Sequence, residues 1–214
     1  MRTILTRRPL AALVALVAAV ACADSSAPSA PVVQPSLARG SAGGSYSQTY
    51  VASGRVLHRT AWENRDVTTS TYLEPDRGGS IEIKSAGLRV EFPKGAVSAP
   101  TRVTVTAFGG NKVVYEFGPH GTRFLVPIVI EQDLKNTRAF DDGALAGDLF
   151  GGYTPSGLSD VGTDGTVNVS ETFAVELTPD HERASRWARF QTSHFSGYVL
   201  ASGKDSTATK LLKN

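Results

Sequence analysis

Short runs of alternating apolar and polar residues, each closed by Gly or Pro, dominate the chain after Gly78-Gly79. Ile81 and Ile83 form one run, and Leu88, Val90 and Phe92 form a second that stops at Pro93-Lys94-Gly95. Val103 and Val105 alternate with Arg102, Thr104 and Thr106 in a third. A period of two sends successive side chains to opposite faces of a strand, so each run predicts a half-buried strand. Proline cannot donate to a ladder and glycine tolerates the turn, so Pro93 to Gly95 should end its strand. Val113 to Phe117, Phe124 to Ile130, Leu149 to Tyr153, Val167 to Val169, Phe173 to Leu177, Arg186 to Phe190 and Tyr198 to Leu200 continue the series. Thr178 to Ala184 reads as a hairpin connection, Pro155 to Thr166 as a loop, and Lys135 to Gly147 as a helical turn or long loop. Roughly eight to ten strands in about 125 residues need two layers, which predicts an all-β fold, a two-sheet antiparallel β-sandwich.

Composition agrees. There are 21 Gly and 11 Pro but only two Trp and one Met, as expected of many turns and short elements. A single Cys excludes a disulfide framework, and four His without a Cys pair offer no structural-zinc spacing. No metal and no cofactor is expected.

The start of the chain reads as an address. Met1 to Arg8 carries Arg2, Arg7 and Arg8 with no acid, and Leu10 to Ala21 is continuously apolar. At 1.5 Å per residue that run reaches roughly 18 Å, short of the hydrocarbon thickness of about 30 Å. Residues 1–21 therefore predict a cleaved bacterial-type export signal. Without its three Arg the chain holds 19 Lys and Arg against 20 Asp and Glu, a formal charge of −1. Such a balance gives no footprint for a phosphate backbone, so no nucleic-acid partner is expected.

Cys22, the only cysteine, follows Ala19-Val20-Ala21 directly, an arrangement that resembles a bacterial lipobox. The resemblance implies acylation of Cys22 and anchoring to a membrane, and Ala23 in place of Asp agrees with outer-membrane sorting. The alternative is a small-x-small peptidase site and release as a periplasmic or secreted protein. Residues 22–50, rich in Ala, Ser, Pro and Gly without apolar period, predict a flexible tether. Residues 51–76 hold Val51, Val56, Leu57, Trp62, Val67 and Tyr72 at irregular spacing and predict a leading strand or two. The sandwich is expected over 77–201, and 202–214 as a polar, disordered tail.

Two stretches carry more than generic β pattern. Gly78 to Val97 contains Pro93-Lys94-Gly95-Ala96, and Gly118-Pro119-His120-Gly121 leads through Phe124 to Pro127. Together they resemble the ZU5-domain family, a β-sandwich found in ankyrins, netrin receptors and tight-junction scaffolds. Independently of the family, Gly95 and Gly121 sit where turns often need positive φ, Pro93 and Pro127 would cap or edge strands, and Phe124 would plug the core beside a turn. His120 is expected in a turn or packing role. The resemblance implies a protein-interaction module without turnover chemistry. An exported, lipid-anchored binding or scaffolding module of the cell envelope is thus the leading expectation, with an unidentified protein partner and a binding surface that no spacing marks. A purely structural envelope spacer is a further alternative.

His194-Phe195-Ser196 is the one place where chemistry is conceivable. The tripeptide matches the self-cleavage motif of some ZU5 proteins, in which Ser196 Oγ would attack the Phe195 carbonyl while His194 takes the hydroxyl proton. The other reading is that Phe195 fills the core while His194 and Ser196 hydrogen-bond at a sheet edge. Ser193, His194, His181 and Asp180 contain the letters of a triad but lack a nucleophile elbow. Asp160 and Asp164 lack the acid and Gly order of a calcium loop and predict a solvated turn.

Overall fold

Alternation translates directly into burial. In Leu88–Phe92 the odd members of the run, Leu88, Val90 and Phe92, are buried while Arg89 and Glu91 face water. In Thr101–Ala107 the buried set is Val103, Val105 and Ala107.

The computed structural model describes residues 50–180 and 183–205; the leader, Cys22, most of the tether, His181 and the tail from 206 onward lie outside them. The described strands are β1 (Ala52–Val56), β2 (His58–Glu63), β3 (Val67–Leu73), β4 (Gly79–Ile83), β5 (Leu88–Phe92), β6 (Thr101–Ala107), β7 (Gly110–Lys112), β8 (Val114–Gly118), β9 (Arg123–Asp133), β10 (Phe150–Thr154), β11 (Thr166–Val169), β12 (Glu171–Ala174), β13 (Glu176–Asp180), β14 (Arg183–His194) and β15 (Gly197–Asp205). The only α-helix among them is a single turn, Gly143–Gly147, whose Asp142 carboxylate accepts from the Leu145 amide.

Two antiparallel sheets form the sandwich. The larger runs β11-β1-β15-β8-β6-β3, with β10 also on β15 and β12 on β10; the smaller runs β13-β14-β9-β5-β4. Strands β2 and β7 make a separate pair. The main core lies between the sheets: Leu73, Val103, Val105, Phe117, Tyr198 and Leu200 from one meet Ile81, Leu88, Val90, Ile128, Ile130 and Phe190 from the other. The larger sheet also buries its second face locally, where Ala52, Val56, Phe150, Val167, Val169 and Val199 form a smaller core. This explains why Tyr198 to Ala201 is a continuous buried run. Strand β15 is covered on both sides, and one of its edges is paired first by β8 and then by β1.

Residues 51–76 supply three strands, β1 to β3, and two of these lie in the larger sheet, so the sandwich extends from Ala52 to Asp205. Their irregular pattern has a physical cause. Strand β1 buries only Ala52 and Val56 fully, because Gly54 sits where a Cβ would meet the Phe150 ring at 2.7 Å. Strand β3 pairs with β6 from Val67↔Ala107 to Leu73↔Thr101 and exposes Thr68, Ser70 and Tyr72, with Thr68 and Thr106 hydroxyls 2.9 Å apart. The expected strand Phe173 to Leu177 divides between the two sheets, as β12 and β13.

Candidate functional site

The three motifs singled out by sequence converge at one corner of the sandwich. Strand β14 belongs to the smaller sheet and β15 to the larger, and Phe195-Ser196 is the two-residue link that carries the chain across. Phe195 is 1% exposed and Ser196 4%. The Phe195 ring packs against Phe92 at the end of β5 (5.9 Å between centroids), Phe117 of β8 (5.3 Å) and Phe124 of β9 (4.6 Å). Phe124 thus plugs the core beside a turn as expected, and Phe195 is in the core as one of its two readings had it.

Backbone bonds fix the corner to the Gly118 to Pro127 motif. The Phe195 amide donates to Thr122 O (2.9 Å), the Gly121 amide donates to Phe195 O (3.4 Å), and the Phe117 amide donates to Ser196 O (3.0 Å). Gly121 has φ 77° and Gly95 φ 81°, the left-handed region that their turns require. The Leu125 amide donates to Ala96 O (2.9 Å), which brings the Pro93 to Ala96 turn against β9.

Strand β9 bulges here. Its register on β14 jumps from Arg123↔His194 to Ile128↔Thr192, so Phe124 to Pro127 stand opposite Ser193 alone. Phe124 turns inward at 5% exposure, while Leu125 is 71% exposed and Val126 37%. Pro127 is tolerated inside a strand because the bulge removes it from the ladder.

His194 is held by groups that no spacing announced. Its Nε2 lies 2.9 Å from a carboxylate oxygen of Glu171 on β12, and its Nδ1 lies 3.0 Å from the Tyr198 hydroxyl. The carboxylate can only accept, which assigns a proton to Nε2. Tyr198 OH donates its one proton to His194 O and sits 2.8 Å from Thr192 Oγ1. Burial, first of all, pushes the Tyr198 phenol well above its ordinary range, with the Glu171 charge adding to the shift. Tyr153 meets the imidazole edge-on at 4.9 Å.

No hydrogen bond among the described residues joins Ser196 Oγ to His194. The two residues share the wall of a surface cavity of about 340 Å³, with His120, Gly121, Arg123 and Tyr153. His120, expected in a turn role, pairs its Nε2 with Glu116 of β8. In the same mould, Asp164 accepts from the Thr166 amide and hydroxyl (3.0 and 2.8 Å), and Asp160 from the Ser156 amide (2.8 Å), so both cap turns.

Tyr198 follows the tripeptide closely in sequence and could have been suspected as a partner of His194. Glu171 stands 23 positions from His194, on a strand that becomes its neighbour only through β10 and β15. No protein-family model matches the chain, and no curated protein matches it.

Proposed function

We propose that the chain is an exported, lipid-anchored β-sandwich of ZU5 type that works as a binding or scaffolding module of the cell envelope, without turnover chemistry. The observation that carries this reading is the β9 bulge. Its first two residues are pinned, Phe124 in the core and the Leu125 amide on Ala96 O, yet it holds the Leu125 side chain at 71% exposure beside Val126. Rigid presentation of apolar side chains to water favours contact with a partner surface, because little conformational entropy remains to be lost on binding. The anchor belongs to the same reading and rests on Cys22 after the apolar run.

The test uses the full chain exported in a bacterial host. A photo-crosslinking residue at position 125 should give a discrete envelope adduct, which Val126→Asp diminishes, and a mature mass starting at acylated Cys22. Crosslinks no different from those at exposed Lys94, on the neighbouring turn, would refute the binding surface.

Self-processing at Phe195-Ser196 is a second reading, favoured by the Gly121 amide that points at Phe195 O, where negative charge would develop on attack. Against it, the ring nitrogens of His194 face the Tyr198 hydroxyl and the Glu171 carboxylate, and neither is hydrogen-bonded to Ser196 Oγ. An intact mass lacking Ser196 to Asn214, restored by Ser196→Ala, would establish it.

A further inference from the structure

A separate cavity of about 250 Å³ lies beside β1 and β2, and Arg55, Leu57, His58, Arg138, Asp164 and Gly165 contribute to its wall. Of the wall residues Arg55 and Arg138 are basic and Asp164 is acidic, while Lys112 and Arg59 stand behind the wall. Arg55 Nη1 donates to the backbone carbonyl of Asp164 (3.4 Å), and Lys112 Nζ to that of Gly162 (2.7 Å). Arg59, one residue beyond His58 and 4% exposed, donates to Lys112 O (2.7 Å) and Tyr115 OH (3.2 Å), and its guanidinium lies 5.5 Å from the centre of the Tyr115 ring. No ion pair joins Arg55, Arg59, Lys112 or Arg138 to a carboxylate among the described residues. The nearest acid, Asp164, spends one oxygen on Thr166.

Arg55 and Arg138 against Asp164 leave the wall one net positive charge, and His58, also of the wall, has a buried Nδ1 without a hydrogen-bond partner. Buried polar atoms are nearly always satisfied, and uncompensated positive groups around a cavity raise the local concentration of anions. Arg guanidinium forks match the tetrahedral oxygens of a phosphate, and two Arg with a His that takes up a proton, less the charge of Asp164, complement a dianion. Leu57 and Leu145 add apolar wall, which suits a phosphate carried on a small organic group.

We propose that this cavity binds a phosphate monoester, with Arg55, Arg138 and His58 as the residues that hold it. The phosphate can belong to a soluble metabolite or to a lipid headgroup, and the chemistry of recognition is the same.

The test is titration of the full chain with glycerol 3-phosphate, and separately with phosphatidylcholine vesicles with and without phosphatidic acid. The ring signals of His58 serve as a direct readout. Arg55, Lys112, Arg138 and Asp164 are the charged groups around that ring. An added dianion should raise the His58 titration midpoint, and Arg138→Ala should weaken binding at least about tenfold. His58→Gln serves as a second variant, and Arg102→Ala, an exposed arginine on β6, should change nothing. Saturation by glycerol 3-phosphate that depends on Arg138 supports a soluble source. Saturation only by phosphatidic acid vesicles, again dependent on Arg138, supports a headgroup. Absence of saturable binding to either, equal binding of acetate, or insensitivity to Arg138→Ala would overturn the proposal.

Discussion

The Phe124 and Phe195 rings meet edge-on, 4.6 Å apart at an interplanar angle of 76°. One comes from the β9 bulge and the other from the crossing between the sheets, so this contact ties the two motifs into the core. Edge-to-face pairs contribute beyond their buried area, and removal of a buried ring leaves a cavity. Phe124→Ala and Phe195→Ala should each cost about 3–5 kcal/mol in urea unfolding, with less than additive loss in the double variant. Additive losses would mean that the rings stabilise the fold independently.

Alkaline sensitivity should come from the buried phenols. Burial raises the pKa of both Tyr198 and Tyr115 above the ordinary value near 10, and the Arg59 charge opposes the shift only at Tyr115. A raised pKa in the folded state means that the stabilising contribution is fully present below about pH 10 and is lost as pH rises further. Chemical denaturation of the wild type should therefore show falling stability above about pH 10. Tyr198→Phe should flatten that limb while losing the bonds to His194 and Thr192 at neutral pH.

The opposite sign applies to His58. Burial, then the charges of Arg138 and Lys112, lower its pKa below the ordinary 6.5. Its contribution to stability is present above about pH 6.5 and is lost as pH falls through the lower folded value. A titration of histidine ring signals in phosphate-free buffer should place the His58 midpoint below that ordinary value, and Arg138→Ala should move it upward. A midpoint unchanged in Arg138→Ala would show that the guanidinium does not face the ring.

Two glycines should respond oppositely to alanine. At Gly197 a Cβ would lie 2.5 Å from Thr154 O and 2.6 Å from Gly157 Cα, both backbone atoms that cannot move aside cheaply. Gly197→Ala should cost at least about 1–3 kcal/mol as overpacking. At Gly147, in the helical turn, nothing lies within 4 Å of the added atom. Gly147→Ala should be neutral or stabilise by about 0.4–1 kcal/mol in thermal unfolding.

The sandwich was legible wherever one face of a strand is buried and the other wet, as in Leu88–Phe92 and Thr101–Ala107. The inward turn of Phe124 and Phe195 and the positive φ of Gly95 and Gly121 were legible for the same local reasons. Strands β1 to β3 were harder to read, because Gly54 packs through its missing side chain and β3 presents hydroxyls. The clasp on His194 was not legible: Tyr198 reads only as the start of a strand, and Glu171 is brought in by sheet order, which no run of residues displays. The basic cavity was equally hidden, since Arg55, His58, Arg138 and Asp164 come together from separated segments.

The placement of β15 governs when the domain can exist at all. It is the last described strand, yet it sits at the middle of the larger sheet, with β10 along one edge and β8 and then β1 along the other. A chain emerging from a ribosome or a translocation channel has no centre for that sheet until residue 197 and those after it are free. Closure of the larger sheet is thereby deferred, and the segments before β15 stay threadable until that strand has emerged.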